Sequence, residues 1–355
     1  MRSGPIGVDE LALAARNHGM PLEALRYPVT PAGLHYLLIH YDIPHLDPIA
    51  WRLEIDGHVE RPLTLTLDDL RARPAVTQAV TLECAGNGRA LMEPRPLSQP
   101  WLLEAVGNAE WTGTPLAPLL EESGVRDGAV EVSFAGLDRG IEAGAEQAYE
   151  RSLLLDEARR DEILLAYDMN GAPLLPQHGA PLRLIVPGWY GMTHVKWLGR
   201  VRVLDEPFTG HQNANAYRWR SAEDDPGEPL SRMLPRSLMV PPGIPSFPER
   251  ERSLPAGPTT LEGRAWSGSG PIARVEVSVD GGVTWSDARL EQEQGEFAWR
   301  GWTFAWDAEP GMHELRCRAT DSTGETQPDE AEWNTGGYSN NAVQRLTVEV
   351  GRDSN

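Results

Sequence analysis

Cysteine is scarce: the 355 residues hold two, Cys84 and Cys317, one in each half of the chain. That count argues against a disulfide-stapled fold. No apolar run approaches the ~20 residues a spanning helix needs, so no segment reads as crossing a membrane. The N-terminus, Met1-Arg2-Ser3-Gly4-Pro5, lacks a twin-arginine pair and a hydrophobic core. No export signal is therefore legible, and the expected location is the cytoplasm, or the periplasm if a leader has been removed. Basic residues are also short, 32 Lys and Arg against 52 Asp and Glu, for a net charge of −20. Such a surface repels nucleic acid and anionic membranes and attracts a cationic protein. An anionic substrate must then be drawn into a local positive pocket.

The length suffices for two domains with separate cores. Residues 1–29 read as an extension with a short helix over 8–26, and 30–221 as the larger domain. Residues 222–258, rich in proline and charge, read as a connector rather than a packed element. Residues 259–351 read as all β, with a hairpin turning at Asp280-Gly281-Gly282 and alternating runs at 302–306 and 346–350. Strands at that spacing suggest an immunoglobulin-like sandwich. Cys317, in an alternating run, reads as a small core residue.

The run Thr81-Leu82-Glu83-Cys84-Ala85-Gly86-Asn87-Gly88-Arg89 carries the chemistry. Val80, Leu82 and Cys84 fall on one face of an alternating segment and Thr81 and Glu83 on the other, the pattern of a half-buried strand. Gly86, Asn87 and Gly88 accept positive φ, so the backbone is expected to curl into an anion-cupping nest. Arg89 adds a fixed charge, and a thiol beside it is expected to titrate below a free cysteine and to bind soft metals. A buried inert cysteine before an ordinary glycine turn is the alternative.

A second cluster lies downstream. Leu182, Leu184 and Val186 read as a strand whose other face carries Arg183, and His194 and Lys196 read as sharing one face of another. With His178, these side chains can converge on an anion; in so acidic a chain, a set of solvated surface charges is the alternative. The apolar run 33–44, ended by Pro44, reads as a buried strand that carries His40.

Cys84-Ala85-Gly86-Asn87-Gly88-Arg89 resembles the metal-ligating motif of the sulfite oxidase family of molybdenum–molybdopterin enzymes, and further family motifs follow in order from about Thr30 to Val350. The resemblance implies an α+β architecture, a mixed α/β molybdopterin domain followed by the sandwich as a dimerisation domain. It implies Cys84 as the protein thiolate on molybdenum, and His40, Asp138, His178, Arg183, His194 and Lys196 as contacts of the pterin cofactor. It also implies substrate-pocket roles for Arg89, Trp101 and Tyr217. Two substrate arginines of the family are replaced, by Leu38 and Gly336. The expected activity is oxygen-atom transfer with a small sulfur oxyanion, sulfite to sulfate the leading candidate. A reductase or dehydrogenase acting on another sulfur or nitrogen oxide is the enzymatic alternative, and a non-catalytic acidic binding protein with a structural cysteine is the alternative of another class. No haem-binding motif is visible, so the expected electron partner is external, such as a cytochrome.

Overall fold

The structure, a computed structural model, describes residues 6–247 and 249–351. Runs of β-branched and aromatic residues build sheets throughout, and the α-helices are short, the longest being Val8–Ala14 and Ala117–Ser123. Leu67–Arg71 begins at a capping box, the Asp69 amide donating to Thr66 Oγ1 at 3.0 Å and the Thr66 amide to Asp69 Oδ2 at 2.8 Å. Among the described residues no helix is long and apolar enough to cross a membrane.

Two sheets make the N-terminal half. One runs Leu63–Leu65, Leu53–Gly57, Leu198–Leu204, Glu131–Glu142, Ala145–Leu154, and is mixed because Leu53–Gly57 and Leu198–Leu204 pair in parallel. The other runs Val76–Glu83, Val106–Pro115, Leu164–Met169, Ala172–Pro173, with Arg183–Ile185 also paired to Leu164–Met169. The C-terminal half is a β-sandwich of a four-stranded and a six-stranded sheet. Its core holds Leu261, Val275, Val277, Trp302, Leu315 and Val348, with Cys317 fully buried among them as expected.

Four expectations need correction. The end of the strand Val76–Glu83 is covered on both faces rather than half-buried, since Val80 through Glu83 are all buried. The face carrying Thr81 and Glu83 meets the C-terminal half: Thr81 Oγ1 accepts from the Trp299 amide at 2.8 Å, and Trp266 Nε1 donates to Glu83 Oε2 at 2.9 Å. Within 222–258, Arg236–Met239 is a fully buried strand paired with Gly257–Trp266, so part of the presumed connector belongs to the sandwich core. The run 33–44 is irregular chain, not a strand, and only His35, Tyr36 and Ile39 in it are buried. Its backbone is satisfied singly, by a lone bridge from Leu37 to His18 and by donation of the Ile39 amide to Asn17 Oδ1 at 2.7 Å. His194 and Lys196 do not lie on a strand either, since a single turn at Gly191–Thr193 precedes them and Trp197 adopts φ 50, so the ladder starts at Leu198.

Candidate active site

The strand Val76–Glu83 ends where Cys84 makes a last bond beside the paired strand Val106–Pro115, its amide donating to Ala105 O at 2.9 Å. The chain then folds on itself: the Asn87 amide donates to Cys84 O at 2.9 Å and the Arg89 amide to Gly86 O at 3.0 Å. Of the three residues expected to curl with positive φ, only Gly88 does, at 90. The loop is held from outside instead. The Ser339 amide donates to Ala85 O and Asn340 Nδ2 to Gly88 O, both at 2.8 Å, so the C-terminal half shapes the cysteine turn.

Cys84 is buried, and burial pushes its thiol above the usual range; the Arg89 guanidinium, the Gly86 amide and the Trp101 indole N–H pull the other way and lose. This reverses the expectation of a low-titrating thiol, because desolvation of a charge outweighs one neighbouring cation. Four phenols face the sulfur electrostatically, those of Tyr36, Tyr149, Tyr217 and Tyr338, and burial raises all four. Tyr217 sits at φ 45, strained for a tyrosine. Its ring lies 5.5 Å from that of Tyr338 and 6.5 Å from that of His40. Tyr36, Tyr149 and Tyr338 escape a reading of the sequence. Tyr36 stands two residues before Leu38 and Tyr338 directly after Gly336-Gly337, signals that point to both, whereas nothing in the sequence marks Tyr149.

One cavity joins the two clusters. Cys84, Asp138, His178, Arg183, His194 and Lys196 all line it, together with His40 and Tyr217. Arg89 and Trp101 stand beside Cys84 rather than on its walls. Asp138 lies not in a loop but within the strand Glu131–Glu142, at an irregularity in its pairing between Ala135 and Arg139. That kink turns the carboxylate inward.

The cationic character of the cavity is narrower than four side chains. His194 binds backbone with both ring nitrogens: Nδ1 accepts from the Val186 amide at 3.1 Å and Nε2 faces Trp189 O at 3.1 Å. Burial, then Arg183, depresses it to about 3. His178 is lowered to about 4 by the same two causes, its Nε2 lying 3.2 Å from Ala32 O. Both imidazoles are therefore neutral near pH 7. The standing charge is that of Arg183, lowered to about 10 by burial; Lys196, whose Nζ donates to Leu38 O at 2.6 Å, is driven well down by burial and Arg183, and an anion in the cavity would favour its charged form.

Several buried polar atoms here have no protein partner. Asp138 Oδ1 and Arg183 Nε lie bare on the cavity walls, and Trp101 Nε1 has no oxygen or nitrogen to donate to. Burial lifts Asp138 to about 6 against the pull of Lys196. Such groups are rare unless a ligand completes them. Among the described residues no three His, Cys, Asp or Glu side chains gather around one point, and Cys84 is the one thiol in the cavity. The donor set fits an anionic organic group that carries its own soft metal ligands, with a bare acceptor for its N–H groups and cations for its charge.

His40 lies at the rim. Its Nε2 is 3.1 Å from Glu142 Oε2, which also accepts from Tyr41 Oη and Gln212 Nε2, each at 2.7 Å; these bonds hold Glu142 down at about 2.

Residues 40–212 match the family model described as oxidoreductase molybdopterin binding domain, and 246–351 the one described as Mo-co oxidoreductase dimerisation domain. The chain is 36% identical to mitochondrial sulfite oxidase of Mus musculus over 91% of its own length and 62% of that protein's. It is 35% identical to sulfite oxidase of Gallus gallus, covering 89% of this chain and 72% of that one. The crystal structure of the sulfane dehydrogenase SoxCD from Paracoccus pantotrophus superposes with a TM-score of 0.82 at 27% identity, covering 98% of this chain and 92% of that one. The turn that carries Cys84, the cavity it floors and these similarities agree: the chain belongs to the sulfite oxidase family of molybdopterin oxidoreductases.

Proposed function

We propose that the chain binds molybdenum–molybdopterin and oxidises a small sulfur oxyanion by oxygen-atom transfer, sulfite being the first substrate to assay. The observation that carries the reading is one cavity holding the Cys84 sulfur, the cations Arg183 and Lys196, and the bare Asp138 Oδ1.

Cys84 would ligate the metal. Arg183 and Lys196 would neutralise the cofactor's phosphate, Asp138 Oδ1 would accept from its pterin, and the neutral His178 would line the same wall. His194 acts one step back, holding the Val186 and Trp189 backbone in place. When bound, the metal supplies two-electron oxygen-atom transfer. The chain's part is to orient substrate and handle protons. Arg89 and the Trp101 N–H stand beside the sulfur to meet an oxyanion, and Tyr217 is placed to donate a hydrogen bond there. His40 and Glu142 at the rim can pass protons outward.

The acceptor is read as an external one-electron carrier, which the net charge of −20 would attract if it were basic. The match of 246–351 to a dimerisation domain supports a homodimer built on the sandwich, whose two sheets we read as immunoglobulin-like. Elemental analysis and pterin fluorescence of protein made in a cell that synthesises the cofactor, followed by sulfite-dependent ferricyanide reduction, test the reading. Protein devoid of both molybdenum and pterin overturns it in favour of a non-catalytic binder.

A further inference from the structure

Buried arginines away from the cavity carry their own counter-ions: Arg236 pairs with Glu83, Arg252 with Glu23 and Arg264 with Glu291. Arg89, Arg151 and Arg183 are buried as well, and among the described residues none of them pairs with a carboxylate. Arg183 lines the cavity and Arg89 faces Cys84, so both lie where an anion is expected. Arg151 is the one left over. It is 2% exposed, and its Nε is buried without a partner. A buried cation with no counter-charge is costly until an anion arrives.

The strand Ala145–Leu154 puts Tyr149 and Arg151 on one face. Tyr149 lines the cavity; Arg151 stands off the wall and reaches it through Tyr217, a wall residue whose ring centroid is 5.6 Å from Arg151 Cζ. Arg151 Nη1 also donates to Gln212 O, so the guanidinium grips the segment that carries Tyr217 at two points. The titratable groups that face it are the phenols of Tyr149, Tyr217 and Tyr338, and burial keeps all three protonated. Nothing among them cancels its charge. From Arg89 the contacts run to the Tyr338 ring at 5.1 Å, from there to the Tyr217 ring at 5.5 Å and on to Arg151. Two cations thus flank the tyrosine pair that faces Cys84.

We propose that Arg151 is the second cation of the oxyanion site: a positioning residue that fixes Tyr217 at the cavity and places over its ring the charge by which the site binds a doubly charged sulfur oxyanion. The inference rests on the oxidoreductase reading above. Arg151 acts through space, from beyond the cavity wall, and touches no substrate atom. In a low-dielectric site a Coulomb interaction reaches that far, and it scales with the charge of the ligand. Removing the cation therefore weakens binding of a dianion by about the square of the factor for a monoanion of the same shape. A mere loss of packing would weaken both alike.

The test is binding of sulfate and of its singly charged isostere perchlorate to the holoenzyme, read by tryptophan fluorescence, beside sulfite–ferricyanide kinetics. Arg151→Met is expected to weaken sulfate by about tenfold and perchlorate by about threefold, and to raise KM for sulfite by a similar factor to sulfate with kcat little changed. Arg151→Lys, which keeps the charge, is expected to restore most of the sulfate affinity. Equal losses for the two anions, no loss in Arg151→Met, or no sulfate binding by the wild-type protein overturns the role of Arg151 and leaves the oxidoreductase reading standing. If Arg151→Met does not fold, Arg151→Gln, which keeps a donor toward Gln212 O, carries the comparison. Failure of both neutral variants to fold makes the residue a structural clamp and overturns its role in binding. Molybdenum-loaded enzyme that turns over no sulfite overturns the sulfite reading, while the anion titrations still decide the part of Arg151.

Discussion

Glu83, the residue before the cysteine, forms an ion pair with Arg236 of the buried strand Arg236–Met239, each side chain only 2% exposed. Asn87 Nδ2 donates to the same carboxylate at 3.0 Å and Trp266 Nε1 to its other oxygen at 2.9 Å. Removing one member strands a buried charge. Glu83→Ala or Arg236→Ala is therefore expected to lower stability by about 3–5 kcal/mol. The paired change Glu83→Gln with Arg236→Met is expected to recover most of that. Urea unfolding of the single and double variants checks it, and a single-variant loss below about 1 kcal/mol contradicts a coupled pair.

Lys196 is a buried cation held by a backbone carbonyl and facing the cavity. Lys196→Met is expected to cut molybdenum and pterin content at least tenfold while leaving the cofactor-free protein as stable as wild type or more so, because the desolvation cost goes with the charge. Metal and pterin assays beside thermal melts decide. Full cofactor occupancy in the variant counts against the anion-holding role.

Cys84→Ser is expected to abolish oxidation of sulfur oxyanions with the fold intact, as judged by circular dichroism. The smaller change Tyr217→Phe keeps the ring and removes the donor, and is expected to lower kcat by 10²–10⁴-fold on the scale of a lost proton-transfer group. Undiminished turnover in Cys84→Ser is incompatible with the metal-ligand role proposed for it.

His35 and His194 are depressed to about 3 and His178 to about 4, in each case by burial first. A depressed histidine binds its proton later in the folded than in the unfolded chain. Stability is therefore full above the unfolded value of about 6.5 and is lost as pH falls toward the folded values. Each group contributes a slope of about 1.4 kcal/mol per pH unit. Asp138, raised to about 6, works the other way, favouring the fold as pH drops from about 6 to about 4. Three histidines against one carboxyl give a net acid loss. Melts of cofactor-free protein between pH 7 and 4 are expected to show it, shallower by one group's slope in His194→Gln. An unchanged slope in that variant rejects the assignment.

Much of the site was legible in the primary structure because each motif is local. The cysteine, the arginine three residues beyond the first glycine, and the order of His178, Arg183, His194 and Lys196 could be read along one chain, and one cavity does collect the downstream groups with Cys84. The misreadings share one cause. Runs 33–44 and 194–197 have strand-like patterns, but periodicity does not say whether a partner strand is free, and here single side chains such as Asn17 satisfy the backbone instead. Thr81 and Glu83 look like a solvent face only until the sandwich covers them.

By itself the sequence determined which chemical groups the protein owns: one usable thiol and a small stock of cations in an acidic chain. Tertiary structure alone decided their state. Burial raised the Cys84 thiol, left two histidines neutral, stripped Asp138 of partners and set Tyr338 over Arg89. The reason is physical: what a side chain is follows from its covalent formula, whereas the solvent it loses and the neighbours it gains come from segments hundreds of residues away.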